Sequence, residues 1–272
     1  ISACLVGSEM CIRDRSPAAS KKSHPIQCSN EYFGNLSDAT PCVSKSTNDI
    51  NIFQLNVRGI CDINKFNHLV SLLGSFHCKF DFIIFTEVKL SLHHPISLYN
   101  IPGFNTYSSL RTHSSGGGLL VFISNYINVL NHKSESIMFE KLTVNFSTGQ
   151  HNFNLVTNYR PPVQSNLNSF LDDLENVCAE ARCDTFLVGD FNIDPSYCDA
   201  PSSAYSQLLS SYGFIVCNDK QTRCASGRVI DHFAANFSHK FPIQNFTIVV
   251  DETLTDHNLV ITNIKSVPRS SR

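Results

Sequence analysis

Residues 49–87 read DINIFQLNVRGICDINKFNHLVSLLGSFHCKFDFIIFTE, and this stretch carries both periodicities that decide the fold class. NIFQLNV (51–57) is an apolar run of strand length. Asp62 stands where a helix cap is expected, and Ile63, Phe66, Leu69, Val70 and Leu73 then recur at helical spacing until Gly74 ends the pattern. FDFIIFTE (80–87) is a buried strand that finishes in a carboxylate.

The same alternation continues toward the C-terminus. After the glycine triplet 116–118, GLLVFIS, KLTVNFS and NFNLVTNY read as three strands. Pro161 and Pro162 break the chain before a second helix, whose stripe is Leu167, Phe170, Leu171, Leu174, Val177, Cys178 and Ala181. TFLVGD (185–190) is another buried strand. A third helix around Tyr205, Leu208, Leu209 and Tyr212 is closed by Gly213, and strands near FIVCN, RVIDHFA, NFTIVV and NLVITNI follow. Many strands and few helices in mixed order predict an α/β four-layer sandwich, two packed mixed β-sheets flanked by helices. Residues 1–48 lack sustained periodicity, so a poorly ordered leader is expected ahead of a domain over 49–272. Its opening, ISACLVGSEMCIRDR, resembles translated adapter sequence read into an assembled transcript.

With 42% hydrophobic residues the chain can bury one large core, and no run approaches the roughly 18 apolar residues that cross a bilayer, so no membrane is expected. Eleven cysteines without a CxxC pair suit neither a disulfide framework nor a zinc finger, and point to reduced thiols inside the cell. The net charge of −2 does not announce a nucleic-acid binder, although a bound divalent cation would add positive charge that a residue count omits.

Polar residues sit where the apolar strands end. Asn56 follows IFQL, Glu87 follows FIIFT, Asp190 and Asn192 follow FLVG, Asp231 follows RVI, and Asp256 with His257 precedes NLVIT. That places them on loops at one rim of a sheet sandwich, where four carboxylates, two amides and a histidine can bind a hard divalent cation. Singly, each is more often a turn former, a helix cap or a surface contact. The ordered set is what carries weight.

LNVRGI, TEVKL, SSGGGLLVFI, NYRPP, LVGDFN, RVIDHF and TDHNLV, in this order, resemble the successive motifs of the endonuclease/exonuclease/phosphatase superfamily. The NYRPP, SSGGGLLVFI and TEVKL versions are most similar to the endonuclease domains of non-LTR (LINE-type) retrotransposons, and the absence of tryptophan departs from the abasic-site repair enzymes. Val88 and Thr255 depart from the residues many relatives carry, Thr and Ser. The resemblance implies a phosphodiesterase that uses Mg²⁺, with Mn²⁺ as an alternative, to nick DNA and leave a 3′ hydroxyl for target-primed reverse transcription. Glu87, Asn56 and Asp256 would bind the metal. Asp190 would activate water with Asn192 positioning it, His257 would contact the phosphate with Asp231 behind it, and Tyr159 would touch the scissile phosphate. Arg160, Thr222 and Arg223 would contact substrate. The implied partners are DNA and the reverse transcriptase domain of a longer polyprotein, with the chain itself a monomer acting in the nucleus. Two other readings stay open: a phosphatase or phospholipid diesterase on the same scaffold, and an inactive retroelement remnant.

Overall fold

A computed structural model describes residues 26–267 apart from 44, 45, 47, 112–115, 137, 138, 164, 165, 182, 183, 238–240 and 266. The chain begins with β1 (Cys28–Phe33) and a short α1 (Leu36–Ala39), followed by β2 (Ile50–Asn56), α2 (Ile63–Gly74), β3 (Phe82–Thr86), β4 (Phe104–Ser109) and β5 (Leu119–Ser124). Next come β6 (Asn128–Ser136), β7 (Glu140–Thr148), β8 (His151–Tyr159), α3 (Leu167–Glu180), β9 (Asp184–Asp190) and α4 (Ala200–Ser211). The fold closes with β10 (Ile215–Val216), β11 (Asp231–Asn236), β12 (Ile243–Ile248) and β13 (Leu259–Ile264).

Two mixed sheets result. One has seven strands in the order β1-β12-β13-β2-β3-β5-β4, and the other has six in the order β10-β11-β9-β8-β7-β6. Period-two patterning on β2 sends Ile50 and Ile52 into the core between the sheets, and Phe53 and Leu55 into a second core under α2. On β9, Phe186 and Val188 face the inter-sheet core while Leu187 joins a third core with Phe170 of α3 and Tyr205 of α4. Strands buried on both faces read as continuous apolar runs, which is why β2, β3 and β9 were legible. The expected four-layer sandwich is the observed fold. Asp62 caps α2 by accepting from the Asn64 amide at 2.9 Å, as the residue pattern predicts.

The boundary expected at residue 48 is corrected. β1 pairs in parallel with β12 from Cys28↔Ile243 to Phe33↔Ile248, so part of the expected leader is an edge strand of the larger sheet. CSNEYF is half polar because only an edge strand's inner side meets the protein, so no apolar run announced it. β6, with sequence NVLNHKSES, is the opposite case of an exposed edge strand and was missed for the same reason. Residues 1–15, with their adapter-like opening, lie outside the described residues.

Candidate active site

β2, β3, β8 and β9 all finish at one end of the sandwich, since β2 and β3 are parallel and so are β8 and β9. Their last residues therefore meet at one rim. Asn56, fully buried at the end of β2, donates through Nδ2 to Glu87 Oε2 at 3.1 Å and to Asp190 Oδ2 at 2.8 Å, joining the ends of the two sheets. Asp190 closes β9 and lies directly across from Asp231, the first residue of the antiparallel β11. Tyr159 closes β8 beside Asp190. Asp231 Oδ2 bonds His257 Nδ1 at 2.7 Å, while Asp231 Oδ1 is buried without a hydrogen-bond partner among the described residues. Ligand-capable atoms of Asp190, Asp231 and His257 lie within 4.8 Å of one another.

The rim backbone is strained around these side chains. Among the described residues four non-glycines have left-handed φ, Arg58 (50°), Glu87 (53°), Lys89 (57°) and Asn192 (49°), and all four flank the site. Each is held by a bond: Arg58 N donates to Asn56 Oδ1 (2.9 Å), Gly59 N to the Glu87 carbonyl (2.7 Å), Lys89 N to the Gly117 carbonyl (2.7 Å) and Asn192 N to Asp190 Oδ1 (3.0 Å). Gly189 has φ +148, and a Cβ there would lie 1.9 Å from the Asn158 carbonyl oxygen, so the residue before Asp190 must be glycine for β8 and β9 to pair.

Burial and the facing Asp231 charge push Asp190 up to about 7, against the opposing pull of His257 and the Asn56 and Asn192 hydrogen bonds. Burial pushes the His257 imidazolium down. The Asp231 charge and hydrogen bond, with Asp190 and Asp256 behind them, outweigh it and bring His257 to about 9. Burial, then Glu87 and Asp190, hold the Tyr159 hydroxyl well above its ordinary range, so it stays a donor. Two buried carboxylates facing each other with an unpartnered oxygen form a donor set that fits a hard divalent cation, with Glu87 and Asn56 as further oxygen donors beside it.

The profile of the Endonuclease/Exonuclease/phosphatase family matches residues 53–270. The chain belongs to that family. Its members are hydrolytic nucleases and phosphatases that generally use divalent metals. Among solved structures, the chain is similar to the 3′ phosphatase NExo from Neisseria bound to a product DNA hairpin, at 14% identity and TM-score 0.64 over 79% of this chain and 99% of that one. An AP endonuclease from Archaeoglobus fulgidus gives 14% identity and TM-score 0.63 over 79% and 99%. The human Nocturnin catalytic domain with bound sulfate gives 12% identity and TM-score 0.60 over 81% and 94%. These likenesses establish the fold. No curated protein matches the sequence.

Within this family scaffold, Asn56, Glu87, Tyr159, Asp190, Asn192, Asp231 and His257 converge as the motif order implied. Three expectations are corrected. Arg160 is buried, with Nε on the Phe191 carbonyl (2.8 Å), Nη2 on the Asn192 carbonyl (2.9 Å) and its guanidinium 5.8 Å from the Phe170 ring centre, so it fixes the turn under Asn192 and cannot reach substrate. Thr222 is fully buried, and its Oγ1 accepts from the amides of Ile230 and Asp231, both at 3.0 Å. It positions Asp231 and does not bind substrate. Asp256, expected at the metal, instead has Arg58 Nη1 at 3.5 Å and Arg223 Nη2 at 3.3 Å on its two oxygens. Burial pushes its carboxyl up, but His257 and the two arginines together hold it below the usual range. Arg223 stays partly exposed at the rim.

Sequence reasoning missed two supports, Asn218 and Asp194, and gave Thr255 no contact. Asn218 donates to the Asp231 carbonyl at 2.8 Å and accepts from the Phe233 amide at 2.7 Å, holding the start of β11. Asp194 accepts from the Val229 amide at 3.0 Å, tying the loop after Asn192 to the segment before Asp231. Thr255 Oγ1 donates to the Asn56 carbonyl at 2.7 Å and accepts from the His257 amide at 3.2 Å. A buried Asn or Asp that serves backbone groups looks like a loop residue in sequence, and only the D-P and D-H neighbourhoods hinted at two of them.

Proposed function

We propose that this chain is a divalent-metal-dependent DNA endonuclease of the non-LTR retrotransposon type, which nicks one strand and leaves a 3′ hydroxyl. The observation that carries the reading is the buried triad of Asp190, Asp231 and His257 around an unpartnered carboxylate oxygen, in the motif context of NYRPP and TDHNLV. Glu87 and Asn56 would hold Mg²⁺, or Mn²⁺ in its place, with Asp190 beside them. When bound, the cation neutralises phosphate charge and stabilises the departing 3′ oxygen.

The chain's own groups account for the rest. Asp190, facing Asp231 at the strand end, is placed to take a proton from water, and Asn192 is placed to orient that water through the strained turn it shares with Asp190. The water oxygen bonds to phosphorus, the bond to the 3′ oxygen breaks, and that oxygen gains a proton. His257 remains an imidazolium at neutral pH, so its free Nε2–H can donate to a non-bridging oxygen while Nδ1–H is held by Asp231. Tyr159 donates a second hydrogen bond there. In a retroelement the nick would prime a reverse transcriptase in the nucleus.

A phosphatase acting on a terminal phosphate fits the same residues, because fold does not set substrate and one similar structure is a 3′ phosphatase. The full chain with Mg²⁺ should convert supercoiled plasmid to nicked circles that a polymerase can extend. Plasmid left intact alongside phosphate release from phosphomonoesters would replace the nuclease reading with the phosphatase one.

A further inference from the structure

Tyr197 keeps 47% of its surface exposed on the loop between β9 and α4, and the Arg228 guanidinium sits 4.4 Å from its ring centre. An exposed ring with a cation beside it near the rim is a surface able to take a flat aromatic group. Both residues are tethered to the catalytic rim. Tyr197 N donates to the Asp194 carbonyl at 3.1 Å, and the Asp194 carboxylate fixes Ser196 on one oxygen and the Val229 amide on the other. The Arg228 carbonyl accepts from the amides of Thr222 (2.9 Å) and Arg223 (3.1 Å), and Arg223 makes a bridge to His257. The backbone under the ring and its cation is therefore tied to the rim, with Arg228 bridged to Arg223 and Arg223 bridged in turn to His257.

We propose that Tyr197, with Arg228 stacked on it, is a platform that receives a nucleobase of the DNA bound for cutting. The inference rests on the nuclease reading and deepens it. A base offers a flat π face to the tyrosine, and the guanidinium adds a cation that suits the adjoining phosphate. Phosphate-only substrates would gain nothing from the ring. The molecule supplies its own control: Tyr126 is 60% exposed with Lys79 Nζ 5.6 Å from its ring centre, but it follows β5 at the opposite end of the sandwich from Glu87.

Fluorescence anisotropy of the full chain in EDTA, with a base-bearing oligonucleotide and with a sugar-phosphate strand of the same length lacking bases, tests the idea. Tyr197→Ala should weaken the base-bearing strand about tenfold and leave the base-free strand unchanged, on the scale of one aromatic–base stack. Tyr197→Phe should restore affinity, Arg228→Ala should weaken both strands, and Tyr126→Ala should change neither. Equal loss on both strands, or no loss from Tyr197→Ala in a parent that binds and nicks DNA, overturns the platform while the nuclease reading stands. A parent that binds no oligonucleotide yet hydrolyses phosphomonoesters overturns both.

Discussion

The two ends of the sheet sandwich make opposite use of the same residue types. Opposite the rim lies a hollow of about 990 Å³, lined by Asn51, Asp81, Ser124, Thr148 and neighbours from the other ends of the strands. There Asp81 Oδ2 accepts from the Asn51 amide at 2.9 Å, Asn51 Nδ2 donates to the Lys79 carbonyl at 2.8 Å, and Asn263 Nδ2 donates to Asn51 Oδ1 at 2.6 Å. Those polar groups hold strands together. At the rim, Asp190 and Asp231 face each other, an oxygen is unpartnered, and four left-handed residues sit within a few positions of the site. The rim is set apart by its facing buried carboxylates and strained backbone.

The largest expected effect sets one end against the other. Asp190→Asn should lower nicking about 10³- to 10⁴-fold and, in EDTA, raise stability, because it removes one of two facing buried carboxylates. Asp81→Ala should do the reverse, leaving turnover nearly unchanged while costing about 1–3 kcal/mol through an unsatisfied Asn51 amide. Plasmid nicking and urea titrations of the two variants would erase the contrast if Asp81→Ala proved the more damaging to turnover.

Next in size, His257→Ala should cost about 10²- to 10³-fold in turnover with little change in DNA affinity, since its bond strengthens as charge builds on the phosphate. Asp231→Asn should cost less in the same direction. Equal losses in binding and turnover would make His257 a holder of substrate only.

A pH series sharpens the electrostatic half of the comparison. His257 is raised from 6.5 to about 9, so in metal-free protein the stabilisation from its pair with Asp231 is complete below about 6.5 and is lost as pH climbs through about 9. Between these limits the parent should lose about 3 kcal/mol more than His257→Gln in urea unfolding with EDTA. Parallel curves for the two proteins would mean the imidazole is not charged in the folded state.

The smallest effect concerns the edge. Removing residues 1–34 deletes β1, with its Phe33–Phe246 ring contact at 6.2 Å and the bond from Gln221 Nε2 to the Tyr32 hydroxyl at 3.0 Å. Stability should fall by about 1–2 kcal/mol and aggregation should rise as β12 becomes an open edge, while turnover changes little. An unchanged melting temperature would return β1 to the leader.

By itself the sequence determined what depends on near neighbours along the chain. Apolar runs at periods of two and 3.6 marked β2, α2, β3, β8, α3 and β9, and the polar residue ending each strand marked the rim, because burial imprints its period locally. Only the tertiary structure decided which polar residues meet and which are consumed in support. Asn56 reaches Asp190 across 134 positions, Arg160 turns inward to carbonyls, Thr222 serves the Asp231 amide, and Asp256 goes to two arginines. Except for Thr222 and Asp231, nine positions apart, each outcome turns on a contact between segments remote in the chain, and an edge strand such as β1 has too little buried surface to leave a period at all.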